Sequence, residues 1–338
     1  MLRLIRAAFS DFTERFGRGW NRFWFTPVDS YPLAVLRVCV GVAALVYLGS
    51  HTADLVRWFG ANGLLPADDV GRLITGQLSG AAEHFHWSYL TWFQSPAELW
   101  TVHALGLMVL ALFTIGVFAR ITSVLSFVVV MSYVHRAPMI TGQFEPVLTM
   151  LLFYLCLAPS GNYLSVTSWL SRRTRLPQSA APQKAETSWA ANVHLRLMQV
   201  HLSWLYLFMG LTKLGGVMGE PNEAPWWRGY AIWTLLARSE SRLVDLTFLH
   251  SQPLLWNAWT HAIVLFELSF AILIWNRTAR PLLLLAAVVS WLSLALVTGL
   301  VSFCLVMLVA NLAFVSRETY AACCRPGEQR TVTIRATA

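Results

Sequence analysis

The sequence predicts an all-α fold, a polytopic integral membrane helical bundle of about eight transmembrane helices. Three observations lead there. Of 338 residues, 56% are hydrophobic and only 12% charged, with a mean hydropathy of +0.54, too apolar for a soluble domain. The apolar residues fall in blocks of about twenty, the number needed to cross a bilayer core as a helix. The 25 Lys and Arg residues that outweigh 17 Asp and Glu to give +8 stand between those blocks, where they act as topology signals. Such a chain is no ordinary cytosolic enzyme, and it offers no basic face for nucleic acid.

Residues 1–30 carry Arg3, Arg6, Arg15, Arg18 and Arg22 among Phe and Trp residues. They lack a short apolar core and a small-residue cleavage site, so an interfacial amphipathic helix is expected rather than a signal peptide. The membrane domain follows over 31–316, with apolar blocks at about 31–50, 97–118, 121–137, 145–159, 192–214, 254–275, 281–298 and 300–316. If all eight cross, the basic N-terminus shares a side with Arg120, Arg172, Arg173, Arg175, Lys184, Arg277, Arg280, Arg317, Arg325 and Arg330. The alternate loops hold Asp54, Asp68, Asp69, Glu83, Glu220, Glu223, Glu240 and Asp245. Basic residues gather on the cytoplasmic side. Both termini, the 160–191 loop and a tail over 317–338 are therefore expected in the cytoplasm, with 51–96 and 215–253 outside. The Pro- and Gln-rich stretch 176–190 reads as a linker.

Five cysteines appear. Cys39, Cys156 and Cys304 sit in apolar runs as small hydrophobes, Cys323 and Cys324 lie in the basic tail, and no zinc spacing is present. His84 and His86 form a pair without a third ligand at ordinary spacing, so no metal is expected.

The fifth block carries a polar stripe. Gln199, Tyr206 and Lys213 are spaced by seven and stay within about 40° of one another on a helix face. His201 lies nearby, and Gly210, one turn before Lys213, permits close approach of a backbone or ligand. A lysine here has two readings. It can snorkel to the headgroups, or burial can disfavour its charged form and make it a general base. Arg37, Arg136, Glu145 and Glu267 also fall in apolar blocks and read as polar ties between helices, with Arg37 or Arg136 as the expected partner of Glu267. The Trp226–Ala231 segment, including Trp227 and Gly229, reads on composition alone as part of an aromatic interfacial belt.

Together, Gln199 through Lys213 and then Trp227, Gly229 and Ala231 resemble the Tyr-(x)6-Lys and Trp-x-Gly elements of the vitamin K-dependent gamma-carboxylase family. The resemblance extends to its bacterial relatives, the horizontally transferred transmembrane (HTTM) domain proteins. Leu36 with Arg37, Gly116 through Arg120, Pro159 through Val166, Phe266 through Ser269, and Phe303 follow in the family's order, so the likeness spans roughly residues 20–316. It implies a bacterial inner-membrane protein and a reduced menaquinone or vitamin K hydroquinone as cofactor. It further implies that Lys213 deprotonates the quinol at the non-cytoplasmic face, with Gln199, His201, Tyr206, Gly210, Trp227 and Gly229 around the pocket. In the family, quinol oxygenation then drives carboxylation of a glutamate in a secreted or membrane peptide.

The sequence departs from the family's pattern in three places. Gly142 through Glu145 stand where the family has a histidine, and Trp291 occupies the region of a second one. The chain also ends soon after the membrane domain, so the large lumenal domain of animal carboxylases is expected to be missing. Two classes of function remain open: a quinol-dependent membrane enzyme, and a non-catalytic scaffold that binds a lipid or helps a secreted partner mature.

Overall fold

The computed structural model describes residues 2–74, 87–93, 95–174, 187–214, 225–238, 243–315 and 319–320. Among them the chain is helical almost throughout. An amphipathic helix α1 (Leu2–Phe25) precedes α2 (Tyr31–Ser50), the short α3 (Leu55–Phe59) and α4 (Ala67–Ile74), then α5 (Pro96–Ile115), α6 (Ala119–Arg136), α7 (Phe144–Leu157) and the short α8 (Val166–Thr174). The second half holds α9 (Trp189–Lys213), the short α10 (Ala231–Leu236), α11 (Pro253–Leu273), α12 (Arg280–Thr298) and α13 (Val301–Asn311), which runs on as a 3-10 turn to Phe314. Residues Val28–Asp29 and Thr187–Ser188 form one antiparallel rung.

The helix ends follow local chemistry. Pro32, Pro96, Pro253 and Pro281 stand in first turns, where a missing N–H costs nothing. Ser95 and Glu98 form a reciprocal capping box on α5. That helix ends at Gly116 with φ +77, a left-handed cap that favours glycine.

Each expected apolar block lies on a helix, but among the described residues only α2, α5, α11 and α12 are long and apolar enough to cross a membrane. Helix α7, and α13 with its extension, are apolar but shorter. Helices α6 and α9, at 18 and 25 residues, are long enough yet more polar. The outer faces stay apolar: Ile272 is 70% and Leu282 69% exposed, as expected for helices that contact lipid.

Inside, α9 lies along α11, α2 along α5, α6 along α7, and α13 packs on α12, α7 and α2. The α9–α11 contact is tight at Gly210, where an added Cβ would come within 2.7 Å of Leu268 Cδ2.

The two buried arginines correct one expectation, because neither Arg37 nor Arg136 meets Glu267. Arg37, fully buried, donates through Nη1 to the carbonyls of Ser160 and Tyr163 and through Nη2 to that of Leu164. Arg136 donates through Nη2 to the carbonyl of Leu65 at 2.6 Å. Both tie helices to loops through backbone carbonyls, which hold a guanidinium in place without an ionised partner. Glu145 ties no helix to another in this way. Its Oε2 accepts from the Gly142 N–H at 2.8 Å, in the turn just before its own helix.

Candidate functional site

Lys213 closes the last turn of α9, and Gly210 three residues earlier brings that helix against α11. The approach sets the register between the helices, so that the Lys213 ammonium faces the middle of α11. There Nζ donates to both carboxylate oxygens of Glu267, at 2.5 Å and 2.7 Å. Only 15% of the lysine side chain and 1% of the glutamate side chain are exposed. Trp226 covers the pair, with its ring centroid 5.0 Å from Nζ. Lys213 therefore points inward to a carboxylate, and the snorkelling alternative is set aside. Glu267 does have a cationic partner, but it comes from α9.

The pair lines a cavity of about 370 Å³ whose walls include Trp226, Trp291, Phe303, Leu294 and Gln143. Aromatic and aliphatic surface makes up most of the wall, with Gln143, Thr212, Lys213, Glu267 and Thr298 adding polar groups. Such a cavity suits a flat apolar ligand with one or two polar groups.

The rest of the stripe serves the wall from behind. Tyr206 is fully buried, and its hydroxyl accepts from Trp291 Nε1 at 2.7 Å and from Asn311 Nδ2 at 2.9 Å. Its ring stacks on Phe270 with centroids 3.9 Å apart. Trp291 of α12 is thereby held against α9, with its indole in the cavity wall. Gln199 is also buried and donates to the Ala313 carbonyl at 2.7 Å. Both residues fasten α9 to α12 and α13 and do not line the cavity.

The other expected pocket residues stand apart from it. His201 faces outward, with Nδ1 3.0 Å from the Tyr154 hydroxyl on α7. Trp227 is 59% exposed. Gly229 adopts φ +80 and packs where a Cβ would sit 2.1 Å from Asn257 Nδ2, so it fixes the loop that carries Trp226. Lys213 alone of that set lines the cavity, joined by Glu267, which the sequence placed among the helix ties. Trp226 belongs to the loop expected at the pocket and does line it, Cys304 read only as a small hydrophobe, and Asn311 had no sequence signal. Residues His84 and His86 lie outside the described residues.

No family model matches this chain, and neither a curated protein nor a solved structure matches it.

Proposed function

We propose that the chain is an eight-span membrane protein of the carboxylase-like HTTM type, in a bacterial inner membrane with both termini cytoplasmic. In this reading Lys213 takes a proton from a lipid-soluble quinol, a reduced menaquinone or vitamin K hydroquinone. The observation that carries it is the Lys213–Glu267 pair in the wall of a cavity between apolar helices. The cavity falls within the usual size range of small-molecule sites, and Trp226, Trp291 and Phe303 offer flat apolar faces to a fused ring.

A hydroquinone bound there supplies an acidic O–H. The chain's own part is to hold and charge-balance the proton. As it stands the pair is neutral overall, carrying one proton between amine and carboxylate beyond their fully deprotonated forms. To accept a second, Lys213 first passes its own proton to the Glu267 carboxylate it touches, and the free amine then takes the quinol proton, which leaves an ammonium at Nζ and a neutral Glu267 acid, a net +1 opposite the −1 left on the ligand oxygen. The site's total charge is unchanged, which matters where burial makes uncompensated charge expensive. Glu267 positions Nζ, and Tyr206 positions Trp291.

Further support comes from the departures from the family's pattern. Gln143 and Trp291, from the two regions where the family's histidines are replaced, both line this same cavity. The later steps would then differ from those of the carboxylases, while a secreted or membrane peptide remains the partner this reading assigns.

The test is oxidation of menaquinol by the purified full chain in aerated buffer, with dioxygen as the electron acceptor. Lys213→Arg keeps the charge and can still pair with Glu267, but arginine does not give up its proton. Turnover should fall by about 100-fold or more, with gel filtration unchanged. Wild-type turnover in a folded Lys213→Arg protein would sink the assignment. For topology, cysteines introduced at Ser171 and Arg238 should label from opposite sides. Labelling from one side means that α9, the one expected span between them, does not cross and the count is wrong by one.

One observation favours the scaffold alternative. An apolar groove of about 690 Å³ runs between α2 and α13, lined by Val42, Val46, Leu305 and Val309. If lipid binding there is the whole function, no menaquinol is oxidised and Lys213→Arg changes nothing but stability.

A further inference from the structure

Where α1 meets the bundle, three arginines converge. Arg196 of α9 lies with its Cζ 4.5 Å from the Phe23 ring centroid and 5.9 Å from that of Trp275, and those two rings are themselves 5.6 Å apart. Arg277 follows Trp275 by two residues, and Arg280 opens α12, its Nε donating to the Ile274 carbonyl at 3.1 Å. Arg280 and Arg277 both stand close enough for their charges to act on Arg196, and Arg277 acts likewise on Arg280. None of the ion pairs among the described residues includes any of the three. Arg196 Nη1 donates to Gln199 Oε1 at 3.0 Å, while its buried Nε has no protein partner. Aromatic packing thus holds Arg196 and a backbone carbonyl holds Arg280, while Arg277 stands exposed beside them with its donors to spare.

The depth of this cluster follows from α1. Phe9, Phe12, Phe16 and Trp20 are 68%, 64%, 61% and 51% exposed and recur at helical spacing, a stripe suited to the boundary between headgroups and acyl chains. The helix is pinned at its other end, where Asn192 Nδ2 donates to the Phe23 and Trp24 carbonyls at 2.8 Å and 2.9 Å. Phe23, which also touches Arg196, sits at that pinned end. The cluster therefore lies at headgroup level. Setting topology needs basic residues on the right side of the membrane, but it does not need them to converge.

We propose that Arg196, Arg277 and Arg280 bind the phosphate of an anionic phospholipid headgroup, at the corner where α1 rests on α9. Guanidinium groups match phosphate oxygens with paired hydrogen bonds, and the phosphodiester charge relieves their mutual repulsion. The exposed aromatic stripe of α1 fits the acyl region beside that headgroup.

The experiment is native mass spectrometry of the full chain released from detergent micelles, titrated with phosphatidylglycerol, phosphatidylcholine or inorganic phosphate. Phosphatidylglycerol should bind in preference to phosphatidylcholine, and inorganic phosphate should not displace it. The double variant Arg277→Gln/Arg280→Gln should weaken phosphatidylglycerol binding about 30-fold, since each surface arginine contributes roughly a factor of five. Should the double variant fail to fold, Arg277→Gln alone, at an exposed position, should weaken binding about fivefold. Unchanged affinity in a folded variant overturns the proposal. So does equal binding of phosphatidylcholine, or displacement by inorganic phosphate, which would mark a site for free anions.

Discussion

Glu267→Ala is expected to destabilise the protein by about 3–5 kcal/mol, because it strands a largely buried ammonium without its counter-charge. Trp226 at 5.0 Å can compensate only in part, since a cation–π contact contributes about 0.5–2 kcal/mol. Lys213→Met should cost a similar amount by stranding the carboxylate. The double replacement Lys213→Met/Glu267→Leu should be far milder than the sum, as apolar pairs often match a buried ion pair in stability. Unfolding in mixed micelles with rising sodium dodecyl sulfate measures all three. Additive losses would show that the two side chains do not act as a pair.

The second large effect is expected at Arg37. Its guanidinium holds the carbonyls of Ser160, Tyr163 and Leu164, and Leu164 adopts φ +49, a conformation that costs a non-glycine residue about 1–2 kcal/mol. Arg37→Met removes the donors that hold this turn in place. A loss of about 3–5 kcal/mol is expected, since hydrogen bonds from charged groups contribute about 1.5–3 kcal/mol each. Gly116→Ala should reproduce part of it, about 2–3 kcal/mol, through overpacking and its positive φ. A Cβ there would lie 2.5 Å from Ser165 Cβ and 2.9 Å from Arg37 Cζ. Thermal melts of both variants in the same detergent provide the comparison, and an unchanged midpoint for Arg37→Met would contradict this account.

Hydropathy blocks made the helices legible, because a membrane-length apolar run leaves the backbone little alternative to an α-helix. The stripe on α9 was legible too, since periodicity alone places Gln199, Tyr206 and Lys213 on one face. What each member of that face touches was not. Glu267 lies 54 positions beyond Lys213, and their meeting depends on the slide of α9 against α11 at Gly210 and Leu268, a tertiary fact with no local signature. Arg37 was misassigned for a related reason. A buried arginine suggests a carboxylate, yet a turn of outward-facing carbonyls serves as well, and that turn requires a left-handed leucine that propensity does not anticipate. Asn311 gave no warning, being one polar residue at the end of an apolar helix.

Arg37 and Arg136 stand near opposite ends of the bundle, the first near the start of α2 and the second at the close of α6, which runs the same way. Among the described residues no carboxylate pairs with either, and Nε and Nη1 of Arg136 have no hydrogen-bond partner there. A sodium ion or hydronium ion approaching within about 10 Å of either would meet a repulsion of roughly 1.7 kcal/mol at an effective dielectric constant of 20. That lowers its local concentration almost twentyfold. A guanidinium buried without a counter-charge near each end makes this side of the bundle an unfavourable path for cations.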